Sequence, residues 1–83
     1  MMDYVKILHD ICVDLVDDKE HLKVKEMPSL EEHEIILHVY ATHDDIAKLI
    51  GKKGAMASAI RQLMSVTGVL SEKKVTIKFE SYE

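Results

Sequence analysis

Gly51-Lys52-Lys53-Gly54 is the segment whose residue types and spacing suit it best to chemistry. The chain has three glycines, and two of them bracket this Lys-Lys pair. Glycine lets the backbone turn sharply and removes the Cβ atom that would hold a ligand away. A helix-patterned segment, Ile46-Ala47-Lys48-Leu49-Ile50, precedes the turn, and another, from Ala55 to Arg61, follows it. The first N–H groups of that second helix lack intrahelical partners. They also sit at the positive end of its dipole, roughly half an elementary charge. Two glycines, exposed N–H groups and two ammonium groups together suit a phosphate.

Six elements must position this turn. Residues 3–17 read as a helix, with Tyr4, Leu8, Ile11, Cys12 and Leu15 recurring at three- and four-residue steps. Residues 21–27 alternate as a strand, with Leu22 and Val24 against Lys23 and Lys25, and Pro28 ends it. Residues 33–41 form a second strand, with Ile35, Leu37, Val39 and Ala41 inward and Ile36, His38 and Tyr40 outward. Thr42-His43-Asp44-Asp45 resembles a capping box with Asp45 in the usual Glu position, and opens a helix to about Ile50. A further helix spans about 54–67, with Met56, Ala59, Ile60, Leu63, Met64 and Thr67 on one stripe and Gly68 as its stop. Residues 73–80 alternate again, with Val75, Ile77 and Phe79 inward.

The order α-β-β-α-α-β implies an α+β fold. The first two strands make a hairpin, and the helix pair is a crossover that returns the last strand parallel to its predecessor. Three helices then cover one face of a three-stranded mixed sheet. A chain of 83 residues reads as one domain with a small two-layer core.

Charge is sorted along the chain. The net charge is −4, which by itself disfavours nucleic acid. Residues 1–45 hold four lysines and twelve acids, whereas residues 46–71 hold Lys48, Lys52, Lys53 and Arg61 and no acid. Such sorting can hold an anion at one locale while the remaining surface repels it.

Other chemistry finds no support in the residues. A P-loop needs G-x-x-x-x-G-K-[ST], and here the second glycine precedes Ala55. His9, His21, His33, His38 and His43 lack metal-ligand spacing. No Ser or Cys has a nucleophile context. The expectation is a non-enzyme without cofactor or metal. Cys12 has no partner for an internal disulfide and reads as a packing residue. No apolar run approaches the ~20 residues of a membrane span, and the first residues carry no signal-peptide pattern, so a cytoplasmic location without membrane contact is expected.

Ile50-Gly51-Lys52-Lys53-Gly54 between two helices resembles the I-G-x-x-G signature of KH domains, and the element order resembles their type II arrangement. From Ile46 to Met64 the chain is similar to the small bacterial single-KH RNA-binding proteins of the KhpA family. The resemblance spans the chain in element order and is specific over about twenty residues around the loop. It implies a protein that clamps single-stranded RNA at the loop, as an RNA chaperone or post-transcriptional regulator. A KH loop grips the backbone of about four nucleotides. Gly51 and Gly54 would allow close approach, N–H groups near Gly54 and Ala55 would meet phosphate, and Lys48, Lys52, Lys53 and Arg61 would add charge. Arg61 reads equally well as a solvated side chain. Ile46 and Leu49 read as core. So mainly does Ile50, which also enters the binding set with the signature. Ala47 and Ala57 read either as the floor of a base groove or as helix packing. That family commonly has a basic residue where this chain has Ala55, so one phosphate contact is in question. The absence of aromatics between residues 41 and 78 speaks against strong stacking in the groove.

A second reading belongs to a different class. Ile36, His38 and Tyr40 on the outward strand face suit a protein interface, making the chain a KH-fold adaptor. The resemblance implies a homodimer, or a heterodimer with a Jag/KhpB-like KH protein.

Overall fold

The computed structural model describes residues 3–70 and 72–82, so Met1 and Met2, which open the stretch read for a leader, lie outside the described residues. The elements are α1 (Tyr4–Val13), β1 (Lys23–Met27), β2 (Glu34–Ala41), α2 (His43–Ile50), α3 (Ala55–Leu70) and β3 (Lys74–Ser81). Single 3-10 turns occupy Lys19–His21 and Lys52–Gly54. The α-β-β-α-α-β order expected of a type II KH domain is present.

The sheet order is β1-β2-β3. β1 pairs antiparallel with β2, from Lys23↔Tyr40 to Met27↔Ile36. β2 pairs parallel with β3, from Glu34↔Lys74 to Ala41↔Ser81. The central strand therefore lies between a hairpin partner and a crossover partner. Alternation sends Leu37, Val39 and Ala41 into the core with Ile77 from β3. Tyr4, Leu8 and Cys12, each four residues apart, line the buried face of α1, while Ile46 and Leu49 of α2 and Ile60 and Met64 of α3 complete the cluster. Burial raises the Cys12 thiol to about 11, as suits a packing residue with little thiolate at neutral pH.

Three expectations change. The first helix stops at Val13, four residues short of the 3–17 span read in the sequence, because the chain beyond it is held elsewhere. The N–H groups of Asp17 and Asp18 donate to Asp45 Oδ1 and Oδ2 at 3.0 and 2.9 Å, across 27–28 residues. Second, Gly68 does not end its helix: α3 continues to Leu70, and Gly68 is buried. A Cβ there would lie 2.4 Å from the Lys73 carbonyl oxygen, and Lys73 N–H donates to the Gly68 carbonyl at 2.8 Å. Its place reflects the close passage of the returning chain. Third, the buried side of α3 runs through Ala57, Ile60, Met64 and Gly68, which leaves Met56, Ala59 and Leu63 of the expected stripe outward.

Candidate nucleic-acid interface

The glycine turn joins α2 to α3 through two left-handed conformations in succession. Lys53 has φ 56° and Gly54 has φ 78°, and Gly51 before them has φ 76°. A non-glycine residue in this region is uncommon. The two glycines serve different needs. A Cβ on Gly51 would meet Met56 Cβ at 2.7 Å and Met56 N at 2.8 Å, so Gly51 lets the turn fold back onto the start of α3. A Cβ on Gly54 would meet nothing within 4 Å, so that position faces open space. Gly51 N–H caps α2 by donating to the Ala47 carbonyl at 2.9 Å.

The donors differ from those the sequence suggested. Gly54 N–H donates to the Gly51 carbonyl at 3.2 Å, and Ala55 N–H donates to the Lys52 carbonyl. Both are used inside the turn and are not presented to a ligand. Lys52 and Lys53 are exposed, and neither has an ion pair among the described residues.

Lys48 is engaged differently. Its ammonium donates to the Asp17 carboxylate and lies 3.7 Å from Asp45 Oδ1. The bond to Asp17 holds the ammonium above the usual lysine range, against the effect of burial. Asp45 is 2% exposed. Its carboxylate accepts the two N–H groups from Asp17 and Asp18, and those bonds hold it below the usual carboxylate range, against burial. Thr42 Oγ1 accepts the Asp45 N–H at 3.3 Å, which is one half of the capping box. The Asp45 side chain goes to α1's end instead of completing the other half. Sequence reading missed this junction because the carboxylate's partners are backbone groups distant along the chain.

Arg61 leans over the Phe79 ring, with its guanidinium carbon 5.6 Å from the centroid. It lines an open groove of about 750 Å³ between α3 and the start of β3, together with Ser58, Gln62, Ser65, Lys73 and Lys74. Phe79, read from alternation as an inward residue, is half-buried and supplies the aromatic surface that the 41–78 interval lacks. Its position on an edge strand was the available signal, since a crossover strand joins a sheet at its rim. Ile46 and Leu49 are buried, while Ile50 is 38% exposed beside the turn. Ala47 is exposed, and Ala57 is 2% exposed in the helix-packing position.

The outward strand residues Ile36, His38 and Tyr40 are half-buried. Apart from Leu30 in the β1–β2 loop, the most exposed aliphatic residues lie on α3: Leu63 at 57%, Val66 at 63%, Val69 at 73% and Leu70 at 75%. No helix among the described residues is long and apolar enough to cross a membrane.

Comparison with known proteins agrees with this architecture. The family model described as KhpA/KhpB, KH domain matches residues 5–79. A relative from Clostridium perfringens, named RNA-binding protein KhpA, is 34% identical over 73 residues, covering 88% of this chain and 95% of that protein. Another of the same name from Chlamydia pneumoniae is 36% identical over 73 residues, covering 88% of each chain. A third, from Clostridium acetobutylicum, is 33% identical over 73 residues, covering 88% of this chain and 95% of that one. No solved structure matches the chain significantly.

Proposed function

Because the chain belongs to the KhpA/KhpB family of KH domains, we propose that it binds RNA, as its relatives' name says of them, and that it takes the RNA as a single strand at the Gly51–Gly54 turn. The observation that carries this reading is the pair of exposed lysines, without ion pairs among the described residues, on a turn whose second glycine opens to solvent. Phosphate approaches over Gly54, where no side chain intervenes, and Lys52 and Lys53 neutralise it. Arg61 extends the basic surface into the groove beside Phe79. About four nucleotides are gripped, mainly by their backbone. With few contacts of this kind, one domain binds weakly and tolerates sequence, as suits an RNA chaperone or general post-transcriptional regulator.

Fluorescence anisotropy with a short labelled single-stranded RNA tests this. Lys52→Asp with Lys53→Asp should abolish binding while circular dichroism and melting stay unchanged. Equal affinity in the folded double variant would remove the turn from the mechanism.

The α3 surface supports an association partner as well. Met56, Ala59, Leu63, Val66 and Leu70 recur at three- and four-residue steps on the outward side, a spacing that suits a helix seam with a second KH protein or a second copy. Two linked domains on one RNA bind more tightly without any new contact type. Val66→Asp should leave a monomer in sedimentation at concentrations where the parent is dimeric. A parent that is monomeric throughout would rule out self-association by this seam.

A further inference from the structure

The sheet face turned away from the helices carries the aromatics that the turn region lacks, together with lysines of its own. Pairing register sets Tyr40 between Lys23 and Glu80, and His38 between Lys25 and Lys78. Tyr82 continues β3 past its end and stacks on Tyr40, with ring centroids 6.0 Å apart and planes inclined by 30°. Its hydroxyl donates to the His21 carbonyl at 2.7 Å, which pins a ring that remains 52% exposed. Lys25 Nζ lies 6.0 Å from the Tyr40 centroid. Together Lys23, Lys25, Tyr40, Glu80 and Tyr82 enclose an open cleft of about 520 Å³. That is within the ~300–1,000 Å³ of sites that hold one small ligand.

Resting on the RNA-binding reading above, we propose that this cleft is a second single-strand contact, in which a nucleobase stacks on the Tyr40–Tyr82 pair and Lys23 and Lys25 take the adjoining phosphates. Base–aromatic stacking tolerates any sequence because every base has a π-face. A pinned ring loses little freedom when a base settles on it. Charge favours the same ligand. The outward positions of the strands hold Lys23, Lys25, Lys74 and Lys78 against Glu34 and Glu80, a positive face on an acidic chain. Glu80 faces the cleft, with Oε2 3.3 Å from His38 Nε2. It repels phosphate at that spot and offers an acceptor to a base amino group. The surface suited to a protein partner lies elsewhere, in the branched aliphatic residues of α3.

The test is affinity against RNA length, using unstructured oligonucleotides of about 5 and about 12 nucleotides. The shorter fills the turn's grip, and the longer can also reach a second contact. The parent should gain about tenfold on lengthening, the worth of one stacked base. Tyr82→Ala, and separately Lys23→Glu with Lys25→Glu, should lose that gain while keeping the affinity for the short RNA. Tyr82→Phe should keep the gain because it keeps the ring. Tyrosine fluorescence gives an independent reading, since the chain has no tryptophan. In a Tyr4→Phe background, the longer RNA should quench the remaining tyrosines, Tyr40 and Tyr82. The buried Tyr4 hydroxyl has no hydrogen-bond partner among the described residues, so that background should fold. A gain that persists in both folded cleft variants, or no gain in the parent, overturns the cleft and leaves the turn standing. Cleft variants that change sedimentation and not RNA affinity also overturn it, in favour of a protein contact. If charge reversal at Lys52 and Lys53 leaves short-RNA binding intact, the turn reading fails separately.

Discussion

The two ends of α2 are built to opposite effect. From its start to its last turn, polar groups are consumed within the chain: Thr42 caps the helix, Asp45 is buried under two backbone N–H groups, and Lys48 in the last turn is spent on Asp17. At its end, polar groups are left outward: Lys52 and Lys53 stand on a turn without ion pairs among the described residues. One short helix of eight residues therefore joins a structural junction to the turn proposed here as the binding end. Net basic charge along the sequence does not distinguish them. What distinguishes them is whether a partner within the chain already satisfies each group.

The largest expected effect is at the binding end. Charge reversal at Lys52 and Lys53 should remove measurable RNA binding, while exposed substitutions of this kind change stability by only about 0.5 kcal/mol. The same measurement on Asp45→Ala should invert the pattern. That variant should melt about 10 °C lower, because two buried N–H groups lose their acceptor. Its RNA affinity, measured where it is folded, should hold. A loop variant that unfolds, or an Asp45 variant that loses binding while fully folded, would erase the distinction.

Glycine substitutions sharpen it within the turn. Gly51→Ala should cost about 3 kcal/mol, since a Cβ there meets Met56 backbone and adopts a positive φ. Gly54→Ala should cost about 1–2 kcal/mol, for its positive φ alone, and act mainly on RNA affinity. Chemical denaturation and anisotropy on both variants separate the two roles.

Acid should act on the structural end. The folded-state carboxyl of Asp45 lies below its unfolded value of 3.8, so its contribution is fully present above that value and is lost as pH falls through the folded one. Glu34, held low first by Ser29 and then by Thr76, has the same sign. Melting temperature should therefore be insensitive to these groups from pH 7 to about 5 and fall below about 4. Asp45→Asn should flatten that fall; an unchanged acid limb in this variant would mean that Asp45 does not carry it.

The smallest effects concern salt. With Lys48 already paired, Lys52, Lys53 and Arg61 are the cations left for phosphate near the turn. At about −0.7 per neutralised phosphate the slope of log affinity against log salt should be near −2. Lys48→Ala should shift affinity less than about twofold. A slope near −3, reduced by about 0.7 in Lys48→Ala, would mean that Lys48 leaves Asp17 to bind RNA.

Hydropathy period, glycine spacing and charge sorting are local properties, and the sequence by itself determined what depends on them. Alternation in β2 placed Leu37, Val39 and Ala41 inward, and the I-G-K-K-G run located the turn. The crossover length made β3 parallel. Tertiary structure alone decided which polar groups remain available. Asp45 looked like half of a capping box, yet its carboxylate takes the N–H groups of Asp17 and Asp18 in the chain that follows α1. Gly68 looked like a helix stop, yet it makes room for the Lys73 carbonyl. Lys48 and Lys52 both read as cations for phosphate, and among the described residues only the first finds a carboxylate. Phe79 read as the inner side of a strand and lies under Arg61, while Tyr82, beyond the strand read at 73–80, pairs with Tyr40 on the open face. Each of these outcomes depends on residues brought together from distant points on the chain, and no local pattern encodes such a meeting.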